Sequence, residues 1–303
     1  MASTARRRNL STTLTAVAIA LTGTLSAAPA PGGQAAEQRT KPTIVLVHGA
    51  WADASSWNGE VSLLRRAGYT VRAIDNPLQN LTTDAQTVQD FLKTVKGPIV
   101  PVGHSYGGSV ITNAAQGVGN VKALVHVDAA APAVGETTAR LSGPTSVLTK
   151  GSPADLHDAV PYANAPSKAS ALCLKEDVFV TKFASGVRHD QAVGLWATQR
   201  AATTVAFNTP STYAVWKTIP SWYLISTGDQ IITPDPEKSM ARRVQGDALQ
   251  GRFAPHAGVG PGGRDEGDPV RGLLRALRRR STGRSGRALS RWGAGSRRPS
   301  SRR

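Results

Sequence analysis

The chain has 303 residues, enough for one α/β domain of ordinary size with tails. Its net charge of +16 would suit a polyanion binder if it were spread over the fold, but it is not. Residues 241–303 carry 16 arginines against four acids, residues 1–40 carry a net +3, and residues 41–240 lie within one charge of neutrality. The single cysteine, Cys173, excludes an internal disulfide and a thiolate metal cluster, and it reads as a small buried apolar residue.

In chain order, Arg6-Arg7-Arg8 precedes a short apolar run from Leu14 to Leu25, followed by small residues in the style of a cleavage site. Residues 1–36 are therefore expected to be an export signal cut between Ala28 and Ala36, giving a secreted protein. The run is too short and too interrupted for a stable membrane span. After a Pro/Gly-rich linker, Thr43 to Val47 is a continuous apolar strand of the buried type. Ser55 to Ala67 predicts a helix with Trp57, Val61 and Leu64 on one face. Tyr69 to Ala73 is the next strand, and Thr82 to Lys96 a helix capped by Thr82 or Thr83. Pro98 to Val102 is again strand, Ser109 to Ala115 helix, and Val121 to Val127 strand. Residues 132–205 break this rhythm with prolines and glycines such as Pro132, Gly135, Pro144, Gly151, Pro153, Pro161 and Pro166 and then amphipathic pieces at Asp177–Ala184 and His189–Thr203, as a cap inserted over a site does. The strand pattern resumes at Ser221 to Ser226, followed by a helix from Pro236 to Arg243. Alternating strands and helices predict an α/β fold over residues 41–243, with a mostly parallel sheet covered on both faces.

Between the strand at 98–102 and its helix stands Gly103-His104-Ser105-Tyr106-Gly107, a G-x-S-x-G motif. In that strand–turn–helix context the glycines permit a tight elbow, and Ser105 presents its hydroxyl at the top of the sheet as a nucleophile. A serine nucleophile needs a base and an orienting carboxylate, which follow such an elbow in the order acid, then histidine. Asp229, in the loop after the strand 221–226, is the candidate acid. Asp235, between two prolines, reads instead as a helix N-cap. The N–H groups of Ala50, after His48-Gly49, and of Tyr106 are placed to form the oxyanion hole. His48 shapes its loop rather than serving as base, and His104 lies inside the elbow pointing away from the hydroxyl. His256 is the only histidine downstream of Asp229 and the candidate base. No metal or cofactor is called for.

The stretches VLVHGAWADASSW (45–57), VGHSYGGSVIT (102–112) and ISTGDQIITPDPEKSMA (225–241) resemble the α/β-hydrolase superfamily, in its branch of esterases, hydroxynitrile lyases and plant methyl esterases. The resemblance implies a helical cap and a Ser-Asp-His triad with Ser105 as nucleophile and Asp229 as acid, and Ala50 and Tyr106 in the oxyanion role. With the expected export signal, it points to a secreted carboxylesterase acting on a small-molecule ester through an acyl-enzyme. Cyanohydrin cleavage on the same residues is the alternative.

After Arg243 the resemblance stops. The family's last strand, its Ser-His loop and its final helix are not legible in the Gly/Arg/Pro-rich residues 244–303, and lysine disappears after Lys238. A gene read out of frame has this signature. One base later, the codons for Gln250 to Ala254 can encode Lys-Val-Asp-Ser-His, and those for Gly263 to Asp268 can encode Ala-Val-Thr-Lys-Val-Ile. On that reading the chain as written is a weak catalyst. Its basic tail is a solvated polycation with no specific nucleic-acid partner, since Trp292 is its only aromatic beyond Phe253. The sequence fixes no oligomeric state.

Overall fold

In the computed structural model, residues 41–244 and 248–251 are described. The apolar runs form β1 (Thr43–Val47), β2 (Val71–Ile74), β3 (Ile99–Ser105) and β4 (Leu124–Ala129). The insertion that follows β4 contributes β5 (His157–Val160), β6 (Ala171–Leu174) and β7 (Ala202–Thr203) before β8 (Ser221–Ser226) and β9 (Ala248–Gly251). Six of these strands pair in parallel in the order β2-β1-β3-β4-β8-β9, while β5-β6-β7 make a separate antiparallel sheet. Alternation along β1 shows how both faces are covered. Val45 and Val47 join a core with α2 (Leu81–Thr94) and α3 (Tyr106–Ala114) through Val88, Leu92 and Val110. Ile44 and Leu46 turn the other way, toward Trp57 and Leu64, the latter on α1 (Asn58–Arg66). This is the doubly covered parallel sheet expected of an α/β-hydrolase fold.

Element ends differ from the sequence reading where short polar side chains compete for backbone donors. A 3₁₀ turn at Ala54–Trp57, capped by Asp53 through the Ser55 N–H at 2.7 Å, precedes α1. Asn80, not Thr82 or Thr83, caps α2, its side-chain oxygen accepting from the Thr82 N–H at 2.9 Å. Val121 makes only an isolated bridge to Ile99, and β4 begins at Leu124. The insertion is not purely helical. Its short helices, among them His189–Ala197, stand with the β5-β6-β7 sheet, and Cys173 is half-buried in β6 rather than fully buried.

The largest correction lies at the compositional break. A strand does follow Arg243 in the chain as written: Ala248 to Gly251 pair with Tyr223 to Ser226 of β8 in parallel register. Arg243 itself is built into the fold. Its guanidinium donates to the Glu136 carboxylate and to the Ala131 carbonyl, and it lies 5.4 Å from the Trp216 ring centroid. The expected signal segment 1–36 and the tail from residue 252 lie outside the described residues. Among the described residues no helix is long and apolar enough to cross a membrane.

Leu46 is fully buried in the central sheet. Leu46→Ala is expected to lower stability by about 2–5 kcal/mol, read as a lower urea midpoint at unchanged slope.

Candidate active site

The elbow is a backbone feature first. β3 ends on Ser105 and α3 starts on the next residue, and Ser105 takes φ 51° and ψ −122°, a strained combination for a residue with a Cβ. Close approach explains the two glycines. A Cβ on Gly103 would stand 2.5 Å from the Gly107 carbonyl oxygen, and one on Gly107 would stand 2.5 Å from that of Val47. The pairing of β3 with β4 shifts register between His104 and Ser105, and the Ala130 N–H bonds the Ser105 carbonyl at 3.1 Å. Ser105 then lines a cleft of about 240 Å³ with His104, Asp128, Asp229, Phe183, Ile231 and Ile232.

Ser105 and Asp229 thus share one cavity. The Asp229 carboxylate accepts from the N–H groups of Ile231 at 2.6 Å and Ile232 at 3.1 Å, so its loop folds around it. These bonds are those of a turn aspartate, and they also hold the carboxylate at the cleft. Asp235 is not the N-cap, which is Thr233. It lies exposed in the first turn of the helix Pro234–Arg243, with Lys238 Nζ 3.1 Å away. A further acid missed in the sequence is Asp128, at the end of β4 with φ 44°. Its oxygens accept from Ser226 N at 2.7 Å and Ser226 Oγ at 2.6 Å. The Asp near the end of the buried run LVHVDA was the available signal. Asp128, Asp229 and Glu237 each place a carboxylate oxygen within 4.8 Å of the others, the one such trio of cation-ligand type among the described residues.

Opposite the elbow stands the loop after β1. A Cβ on Gly49 would meet the Ser105 Cβ at 2.7 Å, so this loop, which continues into Ala50, presses directly on Ser105. His48 locks the loop. Its Nε2 accepts from the Asn76 N–H at 2.9 Å, which leaves the hydrogen on Nδ1 to bond the Gly49 carbonyl at 2.8 Å. Burial holds its pKa below the ordinary histidine value, so the neutral ring persists. Tyr106, the first residue of α3, is anchored by its hydroxyl, which donates to the Asp84 carboxylate at 2.8 Å. Asp84 also accepts from the Gln79 N–H, and burial raises its pKa. The next residue of the β1 loop, Trp51, has φ 58° and donates its indole N–H to the Leu172 carbonyl of β6 at 2.9 Å. Its ring meets Phe183 edge-on at 6.0 Å. Phe183 lines both the Ser105 cleft and a neighbouring pocket shared with Trp51, Phe179 and Leu195.

His104, His126 and His157 have other engagements. His104 packs its ring edge-on to Trp57 at 6.3 Å although the residue borders the cleft. His126 is fully buried, its pKa pulled by burial to about 4, and His157 lies tilted against Trp51 at 5.5 Å. His256 lies outside the described residues.

Residues 44–271 match the alpha/beta hydrolase family, a span that runs past the compositional break. An alpha/beta hydrolase of Aspergillus novofumigatus, nvfD, is 28% identical over 225 residues, which cover 68% of this chain and 85% of its own. A carbendazim hydrolyzing esterase of Nocardioides sp. is 31% identical over 106 residues, covering 31% of this chain and 44% of that protein. Among solved structures, an extracellular alpha/beta-hydrolase from a Paenibacillus species superposes with a TM-score of 0.59 at 23% identity, over 78% of this chain and 98% of that one. Polyneuridine aldehyde esterase does so with a TM-score of 0.62 at 16% identity, over 80% and 99% of the two chains. At such identities the solved structures speak to the fold alone.

Tyr106→Phe leaves the buried Asp84 carboxylate short of a donor. The loss expected is about 1–3 kcal/mol at neutral pH. Asp84 has a raised folded pKa, so the stability it contributes is present in acid and lost as pH rises, and losing a donor to the charged form raises that pKa further. Urea unfolding is therefore expected to show the penalty growing from acidic toward neutral pH.

Proposed function

Since this chain belongs to the alpha/beta hydrolase family, we propose that it is an exported serine esterase cleaving a small carboxylic ester through an acyl-enzyme. One observation carries the reading: a strained serine on a strand-to-helix elbow shares a small cleft with Asp229 and is pressed by the loop that bears Ala50. Ser105 Oγ attacks the ester carbonyl as its proton passes to the base. The oxyanion is held by the N–H groups of Ala50 and Tyr106, and the alcohol leaves with the proton from the base. Water then attacks the acyl-serine by the same route in reverse order and releases the acid. Asp229 orients the base and stabilises its positive charge. Ile231, Ile232 and Phe183 supply apolar walls, which suits a substrate with little charge near the scissile bond. The carbendazim hydrolyzing esterase among the relatives supports an ester-type substrate class.

His256 takes the role of base in the chain as written, standing in sequence shortly after β9. The altered composition around it makes turnover weak, and a gene read one base later across codons 243–250 restores a Ser-His pair and with it the rate. Export by the segment 1–36 completes the proposal.

p-Nitrophenyl acetate tests it. A burst of p-nitrophenol is expected from the parent and none from Ser105→Ala, with a fall in turnover on the order of a million-fold where the parent is robust. Turnover without a burst that survives Ser105→Ala would sink the acyl-enzyme. Strong activity in the parent that vanishes in His256→Ala would instead retire the altered reading frame. Mass spectrometry of the exported protein is expected to show loss of the residues before a point between Ala28 and Ala36.

A further inference from the structure

Glu237 faces inward from the helix Pro234–Arg243 and is fully buried. Neither of its carboxyl oxygens has a hydrogen-bond partner among the described residues, and one lies within 4.8 Å of oxygens from both Asp128 and Asp229. Three negative charges at that separation, out of water, cannot coexist without a proton or a cation. The donors decide which carboxyl is neutral. Asp128 accepts two bonds from Ser226, and Asp229 accepts two from backbone N–H groups, and donors favour a charged carboxylate. Glu237 has none. The other ionisable groups packed around it offer no relief. The Tyr223 phenol of β8 is kept neutral by burial and then by the Asp128 charge. The Arg243 guanidinium, one turn and a half along the same helix, is committed to Glu136 and the Ala131 carbonyl. Lys238 points outward to Asp235. Burial first, and then the charges of Asp128 and Asp229, hold the Glu237 carboxyl well above the usual range.

We propose that Glu237 is a positioning residue that works as a neutral acid: it keeps one proton in the carboxyl cluster behind the cleft, so that Asp229 stays a fixed carboxylate aimed at the base. The proposal rests on the reading of Asp229 as the catalytic acid. It adds that the acid's charge state is set by a side chain outside the cleft lining.

The test compares the full chain with Glu237→Gln, which keeps a donor but cannot ionise, and Glu237→Leu, which keeps volume without a donor. Because the folded pKa is raised, the proton stabilises fully below the unfolded glutamate value, and that stability is lost as pH rises toward the folded value. Urea unfolding between pH 5 and pH 8 is expected to show the parent's folding constant falling, relative to Glu237→Gln, by up to about tenfold per pH unit. Parallel curves would overturn the proton. So would a relative slope that disappears on adding magnesium or calcium, which would put a cation in its place. In p-nitrophenyl acetate hydrolysis at pH 7, Glu237→Gln is expected to keep the parent's kcat, and Glu237→Leu to lose about tenfold in kcat at unchanged KM. Equal rates in the two variants would overturn the positioning role. Asp229→Asn is the control: parent-like turnover there sinks the acid assignment alone, because the unfolding comparison still reads the proton on Glu237.

Discussion

Everything in the site depends on how closely two pieces of backbone approach each other. The turn after β3 lies against the carbonyl groups that end β1, so near that Gly107 has no room for a Cβ beside Val47. This contact fixes the height of Ser105 above the sheet, and it forces the serine into a conformation that a free peptide would avoid. The same contact sets the position of the β1 loop, where a neutral His48 braces Gly49 and Ala50 from behind. Ser105 and the β1 loop are thus placed by one steric arrangement.

That arrangement was legible in the sequence because it constrains residue types. Glycines flank the serine where backbone meets backbone, and uninterrupted apolar runs mark β1 and β3 because both faces of those strands are buried. The carboxyl cluster was not legible. Asp128 follows Val127, the last residue of the strand expected from the sequence, and Glu237 lies in the helix after β8, and only the pairing of β4 with β8 and the packing of that helix bring them together. Burial at long range carries no local signature. β9 was missed for a related reason. Ala248-Leu249-Gln250-Gly251 has no β-branched residue, and its extended form follows from the open hydrogen-bonding edge that β8 presents.

The insertion after β4 reaches the β1 loop through aromatic contacts rather than charge. Trp51 follows Ala50 in that loop, yet its indole is tied to β6 and its ring to Phe183 and Phe207. Any change of packing in the insertion therefore reaches the β1 loop directly. Phe183 borders both cavities and separates one from the other.

The strand order also implies a sequence of events on the ribosome. β1 to β4 can associate as soon as they emerge, and they contain the whole elbow. β8 must wait for the roughly ninety residues that separate Ala129 from Ser221, and closing a loop of that length carries a substantial entropic cost before any pairing compensates it. A nascent chain can therefore hold the Ser105 elbow formed for a time while Asp229 is still unsynthesised. During that interval the outer edge of β4 is open, and it is there that a chaperone or a misplaced strand from another chain would first engage.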